Sequence, residues 1–406
     1  MKTKTIDQKT QINRRSAGVH YGFFSALFLA CVLFFAVPSV VQLVRYYVYD
    51  PKINEAFSPD AGDQRETDLI GNFFQKQLFL DGNGLMRRLL GQREMNGVVR
   101  LKNGYLTDLN PEIDPAVLSQ EADAVAHVRD VLSEYDIPFL YVMAPVKLDE
   151  ASELAAAQGG DSILPAGEST YANRNMDRFL AELDARSVAF MDMREEISHA
   201  GMSSYEVFYR TDHHWTTQGG LFAAGRVADW IRGAVGEPEM ELHTDSSEYQ
   251  YAVYPGWHLG SNAQRTGTGY AGADDFTLIT PDFATDLTNL VSGQRGSFEE
   301  VLLDTTALDR KNLAESCYDK VFAHALEQYH NEMVNNDVRI LLICDSFGAA
   351  MNPYLVLSFR DTECMSAYAP GLLTREYLER TQPDAVILMQ YPGLNLGIES
   401  SFGFGL

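Results

Sequence analysis

Apolar residues fall along this chain in three patterns, and each predicts a different kind of element. Residues 23–44 are apolar apart from Ser25, Ser39 and Gln42. A helix of about 22 such residues spans a bilayer core of roughly 30 Å, and Pro38 is tolerable within it as a kink. Short apolar runs at 137–143, 188–191, 338–343 and 385–389 predict buried strands, with a further strand at 363–365. Apolar residues three and four apart predict helices at 68–79, 111–134, 176–183, 216–231 and 372–379. Pro111 is read as opening the second of these, and a helix at 347–359 is expected to kink near Pro353. Residues 98–106 read as a hairpin turning at Asn103-Gly104. Residues 243–300 lack helical period and are rich in Gly, Thr, Asp and aromatics, which predicts an irregular or β-rich insertion.

Strands alternating with helices, several of them wholly apolar, argue for an α/β fold with a mostly parallel sheet covered on both faces. In such sheets function collects at the carboxyl ends of the strands. The expected organisation is a cytoplasmic tail at 1–22, a transmembrane helix at 23–44, a linker at 45–90 and a folded domain at 91–406. Basic residues before the apolar helix and Tyr46, Tyr47 and Tyr49 after it predict a cytoplasmic N-terminus and an extracytoplasmic domain. A cleaved signal peptide is the alternative. The apolar core exceeds the usual length for one, and no AxA-like site stands near its end, so a retained anchor is expected.

Charge sharpens this picture. The chain has 406 residues and a net charge of −24. Residues 1–50 carry six cations (Lys2, Lys4, Lys9, Arg14, Arg15, Arg45) against Asp7 and Asp50, a net +4, so the remainder carries −28. A surface that acidic repels nucleic acid. It suits neutral glycans, cationic surfaces or simple solubility. Cys31, Cys317, Cys344 and Cys364 show no zinc-like spacing. Buried free thiols are expected, with a Cys344–Cys364 bridge as the alternative.

Two segments carry chemistry. In Leu341-Leu342-Ile343-Cys344-Asp345-Ser346-Phe347-Gly348, an apolar strand stops at a serine and a helix begins. Free backbone N–H groups at such a helix start can hold an oxyanion. A serine hydroxyl needs an adjacent base to act as a nucleophile, and a plain helix cap is the competing reading. In Thr211-Asp212-His213-His214-Trp215-Thr216, residues i and i+2 of an extended chain share a side. Asp212 can then orient and stabilise the His214 imidazole, while His213 points away. A structural pair, a helix start capped by Thr216, and a metal site from Asp212, His213 and His214 are the alternatives. No further ligand suggests the metal, and none is expected.

The TDHHWT segment followed by a strand and DSFG resembles the DHHW family, which is similar to the alginate O-acetyltransferases of bacterial exopolysaccharide export. VVRLKNGYL at 98–106 and APVK at 144–147 add to the likeness, which covers roughly residues 90 to 395. The resemblance implies an SGNH-hydrolase-like three-layer α/β/α sandwich. It implies Asp212 as orienting carboxylate, His214 as base and Ser346 as nucleophile. The acyl group would be acetyl, donated by a membrane-bound O-acyltransferase and passed to a polysaccharide hydroxyl without a cofactor. Oxyanion donors are expected at Ser346, Gly348 and, in a candidate glycine loop, Gly260. Tyr254, Trp257, Arg265 and Tyr270 are candidate glycan contacts, the alternative for the aromatics being a satellite core. A carbohydrate acetylesterase with the same residues and a non-catalytic glycan-binding or assembly protein remain open. Where the family leads one to expect an acidic and then a basic residue after the DSFG helix, this chain has Met365-Ser366-Ala367-Tyr368.

Overall fold

The computed structural model describes residues 23–42, 44–45 and 74–406. The expected tail at 1–22, most of the 45–90 linker and the start of the helix read at 68–79 lie outside these residues. The chain divides into two compact units, Met1–Gly82 and Asn83–Leu406. In the first, helix Phe23–Gln42 is long and apolar enough to cross a membrane. Its Ser39 hydroxyl donates to the Phe35 carbonyl at 2.6 Å, so the polar side chain is satisfied within the helix.

The first strands of the second unit, β1 (Glu94–Met95), β2 (Val98–Arg100) and β3 (Leu106–Thr107), form a small antiparallel sheet. Val99 pairs with Thr107 and Arg100 with Leu106, which realises the expected hairpin. Gly104, at φ 90°, takes the left-handed turn position that a side chain would disfavour.

The main sheet is built from β4 (Phe139–Met143), β5 (Phe190–Asp192), β8 (Leu287–Asn289), β9 (Arg295–Gly296), β10 (Gln328–Asn331), β11 (Arg339–Cys344), β12 (Asp361–Ser366) and β13 (Ala385–Gln390). Its order is β5-β4-β13-β11-β12-β10-β8-β9. The first five strands in that order run parallel and the last three pair antiparallel. Side chains of successive residues go to opposite faces. Leu140, Val142, Ile340, Leu342, Ile387 and Met389 therefore join one core. Tyr141, Met143, Leu341, Ile343, Val386 and Leu388 join the other. Helices Thr217–Ala234 and Gly348–Val356 cover the first face, and Pro115–Ser133 and Ala172–Ala185 the second. This is the α/β/α sandwich that the apolar strands require.

Three expectations need correction. The helix read from Pro111 starts at Pro115, because the Asp114 carboxylate accepts the Ala116 N–H at 2.9 Å and caps it there. The 243–300 insertion takes the β-rich of its two readings but ends before Leu287. It holds a ribbon of β6 (Tyr249–His258) and β7 (Asp274–Pro281), and from β8 onward the chain has rejoined the main sheet. All four cysteines are free, but only Cys317 and Cys344 are buried; Cys31 is exposed and Cys364 half-buried.

Candidate active site

β11 is buried from Ile340 to Cys344 and delivers Asp345, Ser346 and Phe347 to the carboxyl edge of the sheet. Asp345 shapes the turn. One of its oxygens accepts the Phe347 N–H at 2.9 Å; the other accepts the Asn395 amide at 2.7 Å and the Tyr391 N–H. Burial raises its carboxyl above the ordinary range against those donors. Ser346 is the half-exposed residue of the turn, and its backbone N–H has no partner among the described residues.

The second segment folds over this turn. Phe208 and Trp215 form a bridge that closes a loop around residues 209–214. The Trp215 indole donates to the Phe347 carbonyl at 3.0 Å, tying the loop to the serine turn. Thr216 accepts the Gly219 N–H at 3.2 Å and starts helix Thr217–Ala234 as its cap. Tyr318 closes the other side: its hydroxyl donates to the Ser346 carbonyl at 2.9 Å, and its ring stacks on His214 at 4.2 Å.

These restraints produce one hydrogen-bonded line. The Ser346 hydroxyl lies 2.7 Å from His214 Nε2, and His214 Nδ1 lies 3.0 Å from Asp212 Oδ1. Asp212 is itself enclosed. Its Oδ2 accepts from His258 Nε2 at 2.8 Å, its Oδ1 also accepts from Ser261 Oγ at 3.0 Å, and its backbone carbonyl accepts from the Lys147 ammonium. Burial alone would raise the Asp212 carboxyl. The charge of His214 and hydrogen bonds from His213, His214 and His258 outweigh it and hold the group well below the usual carboxylate range. Burial brings the Lys147 ammonium down to about 8, opposed by Asp212, Asp274 and Asp108.

His213 does not point away. The loop is bent rather than extended, so His213 Nδ1 lies 2.6 Å from Ser261 Oγ and its ring centre 3.8 Å from that of His214. Asp212, His213 and His214 bring ligand atoms within 4.8 Å of one another. Those atoms are bonded to each other and to Ser261 and Ser346.

Other expected site residues are spoken for. The Gly260 N–H donates to Thr211 Oγ1 at 3.1 Å and the Gly348 N–H to the Asp345 carbonyl at 3.0 Å, so neither is free for an oxyanion. Gly260 instead lets two backbones meet, because a Cβ there would collide with the Asp212 main chain. Tyr270 is fully buried and donates to the Gln92 carbonyl, which removes it from any glycan. Arg265 is engaged by Asp108 and Asn262. Tyr254 and Trp257 stand half-buried with ring centres 5.3 Å apart and pack against the core. The sequence reading gave no contact with Asp212 to His258, named among the aromatics of the insertion, or to Ser261, named in the candidate glycine loop, and it passed over Tyr318. Tyr318 carried no signal in the sequence.

With this geometry in view, residues 106–264 match the family model of the SGNH hydrolase-like domain of acetyltransferase AlgX. The fold is SGNH hydrolase-like. The match takes in Asp212, His214, His258 and Ser261 and ends before Ser346. Among solved structures, the SGNH-like chain superposes on Bacillus cereus PatB1 with a sulfonyl adduct at a TM-score of 0.59 and 18% identity, covering 77% of this chain and 100% of that one. A DHHW family protein from Eubacterium siraeum gives a TM-score of 0.55 and 16% identity over 76% of this chain and 95% of that one. No curated protein matches the sequence.

Proposed function

We propose that this SGNH-like protein is an extracytoplasmic O-acyltransferase that moves a short acyl group, acetyl by the resemblance, to a polysaccharide hydroxyl through Ser346, His214 and Asp212. The observation that carries the reading is the unbroken line from carboxylate to imidazole to hydroxyl, with contacts of 3.0 and 2.7 Å. His214 Nδ1–H donates to the ionised Asp212, which leaves Nε2 as acceptor toward Ser346. His214 takes the hydroxyl proton as Oγ attacks the donor carbonyl carbon. The proton then goes to the departing group as its bond to that carbon breaks. The Ser346 N–H holds the developing oxyanion. The acyl-serine is resolved when a sugar hydroxyl gives its proton to His214 and attacks the same carbon. Ser346 is regenerated with the proton that His214 returns.

The family match to an acetyltransferase domain supports acyl transfer. The apolar helix supports an anchor at 23–44, a cytoplasmic tail at 1–22, a linker at 45–90 and an outer domain at 91–406. The resemblance supplies the donor, a membrane-bound O-acyltransferase. A carbohydrate acetylesterase would use the same first half-reaction with water as acceptor. The test is acyl release from an activated acetate ester with and without a glycan acceptor. Acetylated glycan should form only with wild type, and Ser346→Ala should lose about a thousandfold or more of the rate. Equal release without acceptor, and no acetylated glycan, would identify an esterase. Full activity of Ser346→Ala would overturn the serine mechanism.

A further inference from the structure

A cavity of about 240 Å³ takes in Ser346 and residues at the carboxyl ends of β11 and β12, and none of Asp212, His213 and His214 lines it. Leu326, Cys344, Asp345, Ser346, Cys364, Met365, Ser366 and Tyr368 line it. Asp345 is the one carboxyl in this lining. The Asp345 carboxylate is turned to Phe347, Tyr391 and Asn395. A shared hydrogen bond with Cys364, together with burial, raises the Cys344 thiol well above its ordinary value. Residues 365–368 add no ionisable group except the Tyr368 phenol, which burial pushes up to about 12.

Size sets the ligand class. An apolar cavity of roughly 150 Å³ is enough to take benzene, so the space here exceeds what the single methyl of an acetyl group fills. The His214 side must stay open to the incoming hydroxyl, which leaves the apolar cavity for the acyl chain on Ser346 Oγ.

We propose that this cavity is an acyl-chain subsite, and that the serine accepts straight acyl groups of about four to six carbons in preference to acetyl. The proposal rests on Ser346 being the acylated residue. During acylation the chain enters the cavity as Oγ bonds to the carbonyl carbon and the donor's leaving group departs with the proton from His214. The chain leaves, still on that carbon, when the acceptor oxygen displaces Oγ.

The test uses the full-length chain and p-nitrophenyl acetate, butyrate and hexanoate. It follows p-nitrophenol release and the mass of the Ser346 peptide. Each methylene buried is worth roughly fourfold, so kcat/KM for butyrate should exceed that for acetate by about tenfold. Leu326→Trp and Cys364→Phe fill the cavity from two different elements, and each should cut that ratio by about tenfold or more. If either fails to fold, the other and the wild-type series still decide. Acetylation of Ser346 with butyrate no better than acetate would overturn the subsite and leave the serine mechanism standing. No acylation of Ser346 by any of the esters would sink the serine mechanism and the subsite together.

Discussion

Asp212 accepts from an imidazole on each carboxylate oxygen, His214 at 3.0 Å and His258 at 2.8 Å. An ionised carboxylate accepts only, so both imidazoles present an N–H to it. For His258 this leaves Nδ1 buried without a partner. That orphaned nitrogen costs free energy, so the Nε2 bond to Asp212 has to offset it. His258 is therefore a positioning residue: it fixes the carboxylate that fixes His214. Replacing it with Phe removes one hydrogen bond to a charged group, and kcat should fall about tenfold to hundredfold. KM should stay near its wild-type value, and His258→Gln, which keeps an N–H donor, should recover much of the loss. An equal rise in KM, or a Gln variant as poor as Phe, would mean that His258 only supports the fold. Asp212, His214 and Ser346 were legible because each sits in a short motif whose spacing has a chemical reason. His258 was not, since it comes from the β6 ribbon and reaches Asp212 only after the chain has folded back.

Two helices on one face of the sheet hold the two halves of this line in register. Gly220, in Thr217–Ala234, touches the main chain of Ala350, in Gly348–Val356, so closely that a Cβ would collide with the Ala350 carbonyl. One helix starts just after His214 and the other just after Ser346, so their separation sets the gap between the imidazole and the hydroxyl. Gly220→Ala must push them apart, at a cost of about 1–3 kcal/mol. Urea denaturation should show a lower midpoint with an unchanged slope, and activity should fall by more than the small loss of folded protein explains. A midpoint equal to wild type would mean that the contact is slack. The apolar strands β4, β11 and β13 were readable from sequence because burial on both faces leaves an unbroken hydrophobic run. The antiparallel edge was not. β10 (Gln328–Asn331) and β9 (Arg295–Gly296) are short and polar, and they are strands because a neighbour's backbone pairs with them.

Over the whole molecule, charge and burial act on different functions. The chain beyond residue 50 carries −28, most acidic groups among the described residues are exposed, and a surface that acidic repels polyanions. A few carboxyls are buried instead, and Glu121 is one that couples the fold to pH. It lies on helix Pro115–Ser133, where Oε1 accepts the Gly397 N–H at 2.8 Å and Oε2 is buried without a partner. Burial raises its pKa from 4.5 to about 7, against the Gly397 and Ile398 N–H groups. A folded-state pKa above the unfolded one means that the native state binds the proton more tightly. The stabilisation is complete below the unfolded value and disappears as pH rises through about 7. Glu121→Gln keeps the acceptor for Gly397 and cannot ionise. Melting temperatures measured from about pH 5 to about pH 8 should therefore fall more steeply for wild type than for the variant, because the groups common to both cancel in the difference. Parallel curves would mean that the Glu121 carboxyl titrates alike in the folded and unfolded chain, and that the contact between this helix and the C-terminal segment does not sense pH.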